Sequence, residues 1–162
     1  MTEIKHSAEL IYNNTDFCNH KQALQDNYVS GYASVFDIQD SQRDIIKKGA
    51  FSQVVENFSQ GKPIPLLWQH MSDKPIGVIE KIEEDNYGLY IVAKITPNIR
   101  CGMEALELIK SRVICSFSIG YTPTEHFIDY DRDIRIIKTI DLWEISLVTF
   151  PANQYSNITS FY

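Results

Sequence analysis

The sequence predicts a mainly β fold of the α+β class, a strand-rich barrel or sandwich carrying two helices. Three observations lead there. Short runs of strand type follow one another along the chain, turn residues stand between them, and only two segments repeat their apolar residues at helical spacing. Strands adjacent in sequence usually pair as antiparallel hairpins, which favours a barrel or sandwich over a parallel sheet. At 162 residues the chain is the size of one ordinary domain, and 1–162 is read as such, with 1–27 the least patterned part.

The first strand is YVSGYASVF, from Tyr28 to Phe36, and the polar loop DIQDSQRD then leads into Ile45-Ile46, as if closing a first hairpin. Phe51, Val54, Val55 and Phe58 recur at i, i+3, i+4 and i+7, and Gly61 stands where a helix would be capped. Pro65-Leu66-Leu67-Trp68 reads as a buried strand ending at Gln69-His70, before a polar turn from Met71 to Pro75. IGVIEKIEED and LYIVAKI, joined at Asn86-Tyr87-Gly88, form a further hairpin. A second helix opens near Thr96-Pro97, carries Ile99, Met103, Leu106 and Ile109, and has Lys110 and Arg112 near its C-terminal end. After it come the strand VICSFSIGY, the charged turn DYDRD and the long apolar run IRIIKTIDLWEISLVTF, which Pro151 stops.

Composition excludes several classes. Hydrophobic residues make up 44% and charged residues 22%, which is globular. The net charge of −6 comes without a basic stripe, so nucleic acid is not expected as a ligand. No apolar run reaches membrane-spanning length and the start MTEIKHSAEL lacks a secretory apolar core, so a cytoplasmic protein without membrane contact is expected. Cys18, Cys101 and Cys115 have no paired spacing, and Cys18 with His20 supplies at most two metal ligands; neither metal nor cofactor is expected.

Three polar residues occupy unusual positions. Glu144 interrupts the apolar run Leu142-Trp143 and Ile145-Ser146-Leu147-Val148, where a carboxylate needs a partner unless the strand turns one side to solvent. In Cys115-Ser116-Phe117-Ser118-Ile119-Gly120, alternation puts both serines and Gly120 on one small polar face, open to the close approach of a carbonyl. Serines on strands ordinarily face solvent or bond to neighbours, and that plainer reading holds for Ser118 taken alone. His70 sits at a strand end beside a loop, where catalytic groups gather, although a single histidine is more often structural. Together they supply a hydroxyl, an imidazole and a carboxylate, the parts of an acyl-transfer site. Cys115 is a rival nucleophile, but it lies an odd number of positions from Ser118 and so points to the opposite strand face.

Four segments then resemble, in order and spacing, the tailed-phage prohead protease family. They are Gly49-Ala50-Phe51; Leu66-Leu67-Trp68-Gln69-His70 with Pro75-Ile76-Gly77; Ser118-Ile119-Gly120-Tyr121; and Glu144-Ile145-Ser146-Leu147-Val148 with Pro151-Ala152-Asn153. The resemblance spans about residues 28–158. Arg43 departs from it, standing where such proteases commonly have glycine before Asp44. This family is similar in fold to the herpesvirus assembly proteases, so the resemblance implies a closed antiparallel β-barrel flanked by a few helices. It also implies a serine endopeptidase with Ser118 as nucleophile, His70 as general base and Glu144 as orienting residue, where the herpesvirus relatives use a second histidine. Scaffold, or the scaffolding segment of the phage major capsid protein, would be the substrate, cut inside the assembling prohead in the bacterial host cytoplasm, with self-association as a possible means of activation. A different expectation keeps the fold without the chemistry, as a non-catalytic capsid-assembly or scaffold-binding protein.

Overall fold

The structure, a computed structural model, describes residues 27–162. In chain order the elements are β1 (Tyr28–Val35), β2 (Asp44–Ile46), α1 (Ser52–Ser59), β3 (Pro65–Trp68), β4 (Met71–Glu84), β5 (Gly88–Ile95), α2 (Arg100–Lys110), β6 (Ser116–Asp129), β7 (Ile134–Val148) and β8 (Ile158–Phe161). The fold is mainly β with two helices, as expected. Cys18 and His20 lie outside the described residues.

All eight strands of the described residues join one sheet, ordered β2-β7-β3-β4-β5-β1-β8, with β6 paired to the other edge of β7. The expected closed antiparallel barrel is not what forms. The terminal strands β2 and β8 do not pair with each other, and both β2 and β3 run parallel to β7. β6 comes back toward the segment before β8 through a single bridge, Ser116 to Asn157, rather than through a continuous ladder. The supposed first hairpin is also replaced. β1 pairs with β5 and β8, while β2 lies beside β7, because its three residues are all buried and need covering on both faces.

Both predicted helices form, α1 on the expected apolar spacing and α2 with only Leu106 and Ile109 of its four expected residues buried. α1 ends at Ser59, and Gly61 takes a left-handed φ of 94° just beyond it, the conformation that closes a helix with least strain in glycine. At its other end both Glu84 carboxylate oxygens receive backbone N–H bonds, from Gly49 at 2.5 Å and Phe51 at 3.0 Å, which ties the Gly49-Ala50-Phe51 segment to β4. α2 buries Gly102, Ala105, Leu106 and Ile109, while Ile99 and Met103 remain exposed. Phe51, Phe117, Leu66, Ile76, Ile137, Ile145 and Leu147 are among the fully buried side chains, so the core lies under the strands that carry the polar residues of interest.

The Met71–Pro75 stretch, expected as a polar turn, is the first part of β4. Trp68 pairs with Met71, so only Gln69 and His70 remain to make the turn. Both have positive φ, 52° and 59°, as a two-residue hairpin of the right-twisting kind requires. Arg43 likewise sits at φ 67°. A left-handed backbone there accounts for the glycine that the resemblance leads one to expect at this position.

Candidate active site

Strand register brings the three polar residues together. Ser118 lies opposite Ser146 and Gly120 opposite Glu144 across the β6–β7 pair. Residues directly opposite share a face, and so do residues two apart, so Ser118, Gly120, Glu144 and Ser146 form one patch on the sheet. Beyond Gly120 the register slips, Tyr121 standing opposite Leu142, which leaves Trp143 as an extra residue on β7. The indole is expelled to solvent and lines a cleft together with His70, Ser118, Gly120 and Phe150.

His70 reaches this patch from the tip of the β3–β4 hairpin. β3 lies parallel to β7, with Leu67 beside Ser146 and Trp68 beside Leu147. The Gln69 N–H donates to the Leu147 carbonyl at 3.0 Å, and the Gln69 side-chain amide makes two bonds to Thr149. Its Nε2 donates to Oγ1 at 2.9 Å, and its Oε1 accepts from the backbone N–H at 3.2 Å. The turn is thereby fastened to the end of β7. His70 Nδ1 stands 2.6 Å from Glu144 Oε1. A carboxylate only accepts, so the Nδ1 proton points at it, which in a neutral imidazole leaves Nε2 as the ring nitrogen with a lone pair. Ser146 Oγ donates to Glu144 Oε2 at 2.6 Å and accepts the His70 backbone N–H at 3.1 Å.

Glu144 is therefore not the solvent-facing residue that strand alternation alone would allow; it is buried with both oxygens bonded. Ser118 is also buried, and it borders two spaces. One is the cleft, about 400 Å³; the other is a smaller pocket of about 20 Å³ lined also by Ser34, Asp40, Asp44 and Ser156. Cys115 precedes β6, is exposed, and donates to the Arg112 carbonyl at 3.3 Å. It lines neither space. Among the described residues, no group of three or more His, Cys, Asp or Glu is arranged to hold a metal ion.

One cluster went unforeseen. Asp44, almost wholly buried, accepts Nε and Nη2 of Arg135 at 2.8 and 2.6 Å and the Tyr121 hydroxyl at 2.8 Å. The bond to Asp44 raises the Arg135 pKa, and burial followed by the Asp44 bond holds the Tyr121 phenol proton well above its ordinary range. Asp40 Oδ1 accepts the N–H groups of Gln42 and Asp44, and burial pushes its carboxyl up. Tyr121, Arg135 and Gln42 line the cleft, so this cluster forms its wall. Beside that wall, Asn153 Nδ2 donates to the Val35 carbonyl at 2.8 Å, and the Ser41 N–H donates to the Ala152 carbonyl at 3.0 Å. The Pro151-Ala152-Asn153 segment is thus a brace for the loop that borders the site. Ser146 was legible in principle, since it lies two residues from Glu144 on a strand; the Arg135 contact was not, because nothing in the sequence indicates that β2 runs beside β7.

A cleft bordered by a strand serine and a carboxylate-bound histidine, on a mainly β sheet with two helices, is carried by a fold found in viral proteases. The capsid assembly protease of bacteriophage T4 shares the fold with a TM-score of 0.55 at 12% identity, over 75% of this chain and 81% of that one. The KSHV protease, solved with a hexapeptide phosphonate inhibitor, shares it with a TM-score of 0.53 at 14% identity, over 83% and 64%. Residues 15–161 match the family described as Caudovirus prohead serine protease, and the chain belongs to that family. It is 32% identical over 132 residues to the prohead protease of Enterobacteria phage HK97, a stretch covering 80% of this chain and 58% of that protein. The chain spans a little under three fifths of that relative's length.

Proposed function

We propose that the chain is a serine endopeptidase of prohead maturation, cutting scaffold or the scaffolding segment of the major capsid protein inside the assembling prohead in the host cytoplasm. The observation that carries this reading is the 2.6 Å bond from His70 Nδ1 to Glu144, beside Ser118 in one cleft. In this mechanism His70 Nε2 takes the proton of Ser118 Oγ as the oxygen attacks the peptide carbonyl, and then gives it to the leaving amine. Glu144 stabilises the imidazolium that exists between those two transfers. Water, deprotonated by the same Nε2, releases the acyl group from Ser118. Family membership supports the reaction class, and the open cleft at the rim supports an extended peptide as substrate.

The test is co-expression with the major capsid protein of the same phage, wild type against Ser118→Ala, read by capsid chain length. Shortening by the wild type alone is expected. Equal processing by both, or none by either, would instead favour a scaffold-binding protein without protease activity. A diphenyl phosphonate should also label Ser118, and peptide mapping that finds the label elsewhere sinks the assignment. Self-association as the means of activation predicts that the specific rate rises with protein concentration.

A further inference from the structure

Ser146 closes a ring of hydrogen bonds with Glu144 and His70. Its single hydroxyl proton goes to Glu144 Oε2, so its oxygen is left to accept the His70 backbone N–H; Glu144 Oε1 returns to the ring of the same histidine. One atom thus holds the carboxylate from one side and the main chain of the histidine from the other. Ser146 is fully buried, so water cannot substitute for it, whereas the His70 side chain is 43% exposed and sits on a strained two-residue turn. An imidazole so exposed has little packing to fix it, and its aim depends on the groups behind it.

We propose that Ser146 is a positioning residue for the protease reaction: its hydroxyl keeps Glu144 and the His70 main chain in one arrangement, so that Nε2 faces Ser118. This rests on the function proposed above. Loss of the hydroxyl leaves one carboxylate oxygen and one backbone N–H without a partner at the buried side of the site, and the pair relaxes by moving apart. The effect belongs to the chemical step, since Ser146 is fully buried and does not line the cleft.

The experiment compares Ser146→Thr with Ser146→Val, two side chains of nearly equal shape of which only one keeps the hydroxyl. The probe is a diphenyl phosphonate, with the maximal labelling rate of Ser118 separated from the concentration that gives half of it, and melting temperatures measured in parallel. The expected result is a Thr variant near the wild-type rate and a Val variant slower on the order of 10²-fold, with half-saturation unchanged. Equal rates for Thr and Val, whether both fast or both slow, overturn the proposal. Should the Val variant fail to fold, proton NMR of the wild type decides. A slowly exchanging Ser146 hydroxyl signal with a through-space contact to His70 supports the ring, and its absence overturns it. Absence of Ser118 labelling in the wild type itself would strike the proposed function instead.

Discussion

A Cβ built on Gly120 would stand 2.4 Å from Glu144 Oε1, the oxygen that holds the His70 ring. The carboxylate therefore occupies space left empty by the missing side chain across the β6–β7 pair. Gly120→Ala must push Glu144 aside, and because the contact is with the end of a side chain the sheet itself can survive. The expected outcome is a melting temperature close to wild type with phosphonate labelling of Ser118 slower on the order of 10²-fold. A variant of wild-type rate would mean that Glu144 can move without consequence for His70.

Glu144→Gln separates charge from shape. The amide fills the same volume, but it cannot stabilise an imidazolium as a carboxylate does, and it turns a donor toward either His70 or Ser146. In serine triads the corresponding change costs about 10⁴-fold in kcat, and a loss of that order is expected here, with Ser118→Ala abolishing cleavage. A loss of less than tenfold would remove Glu144 from the mechanism.

How much of this was legible before the structure depends on what kind of interaction carries it. Strand and helix positions follow from local periodicity, so the two helices, β3 and the β4–β5 hairpin were readable. The parallel pairing of β2 and β3 with β7 was not, because long-range pairing leaves no local trace once both partners are apolar. The extension of β4 back to Met71 was hidden by polar residues that lie on an exposed strand end. At the site, alternation placed Ser118 on its face, while Glu144 could be read either way. The bulge at Trp143, invisible in the sequence, interrupts the alternation of β7 just before Glu144. The bonds of Ser146 to the His70 main chain and of Gln69 to Thr149 join residues more than 70 positions apart, which no local pattern records.

Asp44 joins β2, β6 and β7 through Arg135 and Tyr121, which makes it a stability residue at the cleft wall. Asp44→Ala leaves a guanidinium and a half-buried phenol without their acceptor. Arg135 keeps some access to solvent, so the cost is below that of a wholly buried pair, about 2–3 kcal/mol. Urea unfolding at neutral pH should register it as a lower midpoint with an unchanged slope. A change under 0.5 kcal/mol would show that the cluster is not cooperative.

Asp40 gives a pH dependence of known sign. Burial raises its carboxyl above the ordinary value, so the folded chain holds that proton more tightly than the unfolded chain. Its contribution is fully present below the ordinary carboxylate range and is lost as pH rises through the raised folded value. Asp40→Asn keeps the oxygen that accepts the Gln42 and Asp44 N–H groups and removes the charge beside Asp44. The variant should be the more stable protein at pH 7, with the difference shrinking on acidification and gone below about pH 3.5. Urea midpoints across that range check it; a difference that grows toward acid would reverse the assignment.

Gln69 holds the turn that carries His70, and its two tasks can be separated. Its backbone sits at φ 52°, where asparagine is more at ease than glutamine, and its amide makes two bonds to Thr149 that a side chain one methylene shorter cannot both reach. Gln69→Asn should therefore melt at or slightly above the wild-type temperature while labelling of Ser118 slows about tenfold, the hairpin tip being stable but less well aimed. Thr149→Val removes only the Oγ1 partner and should slow labelling by a smaller factor, since the Thr149 N–H still meets Gln69 Oε1. If Gln69→Asn labels at the wild-type rate, the turn alone aims His70 and the amide clamp is dispensable. If it melts well below wild type, the clamp holds β3 to β7 as well as the histidine.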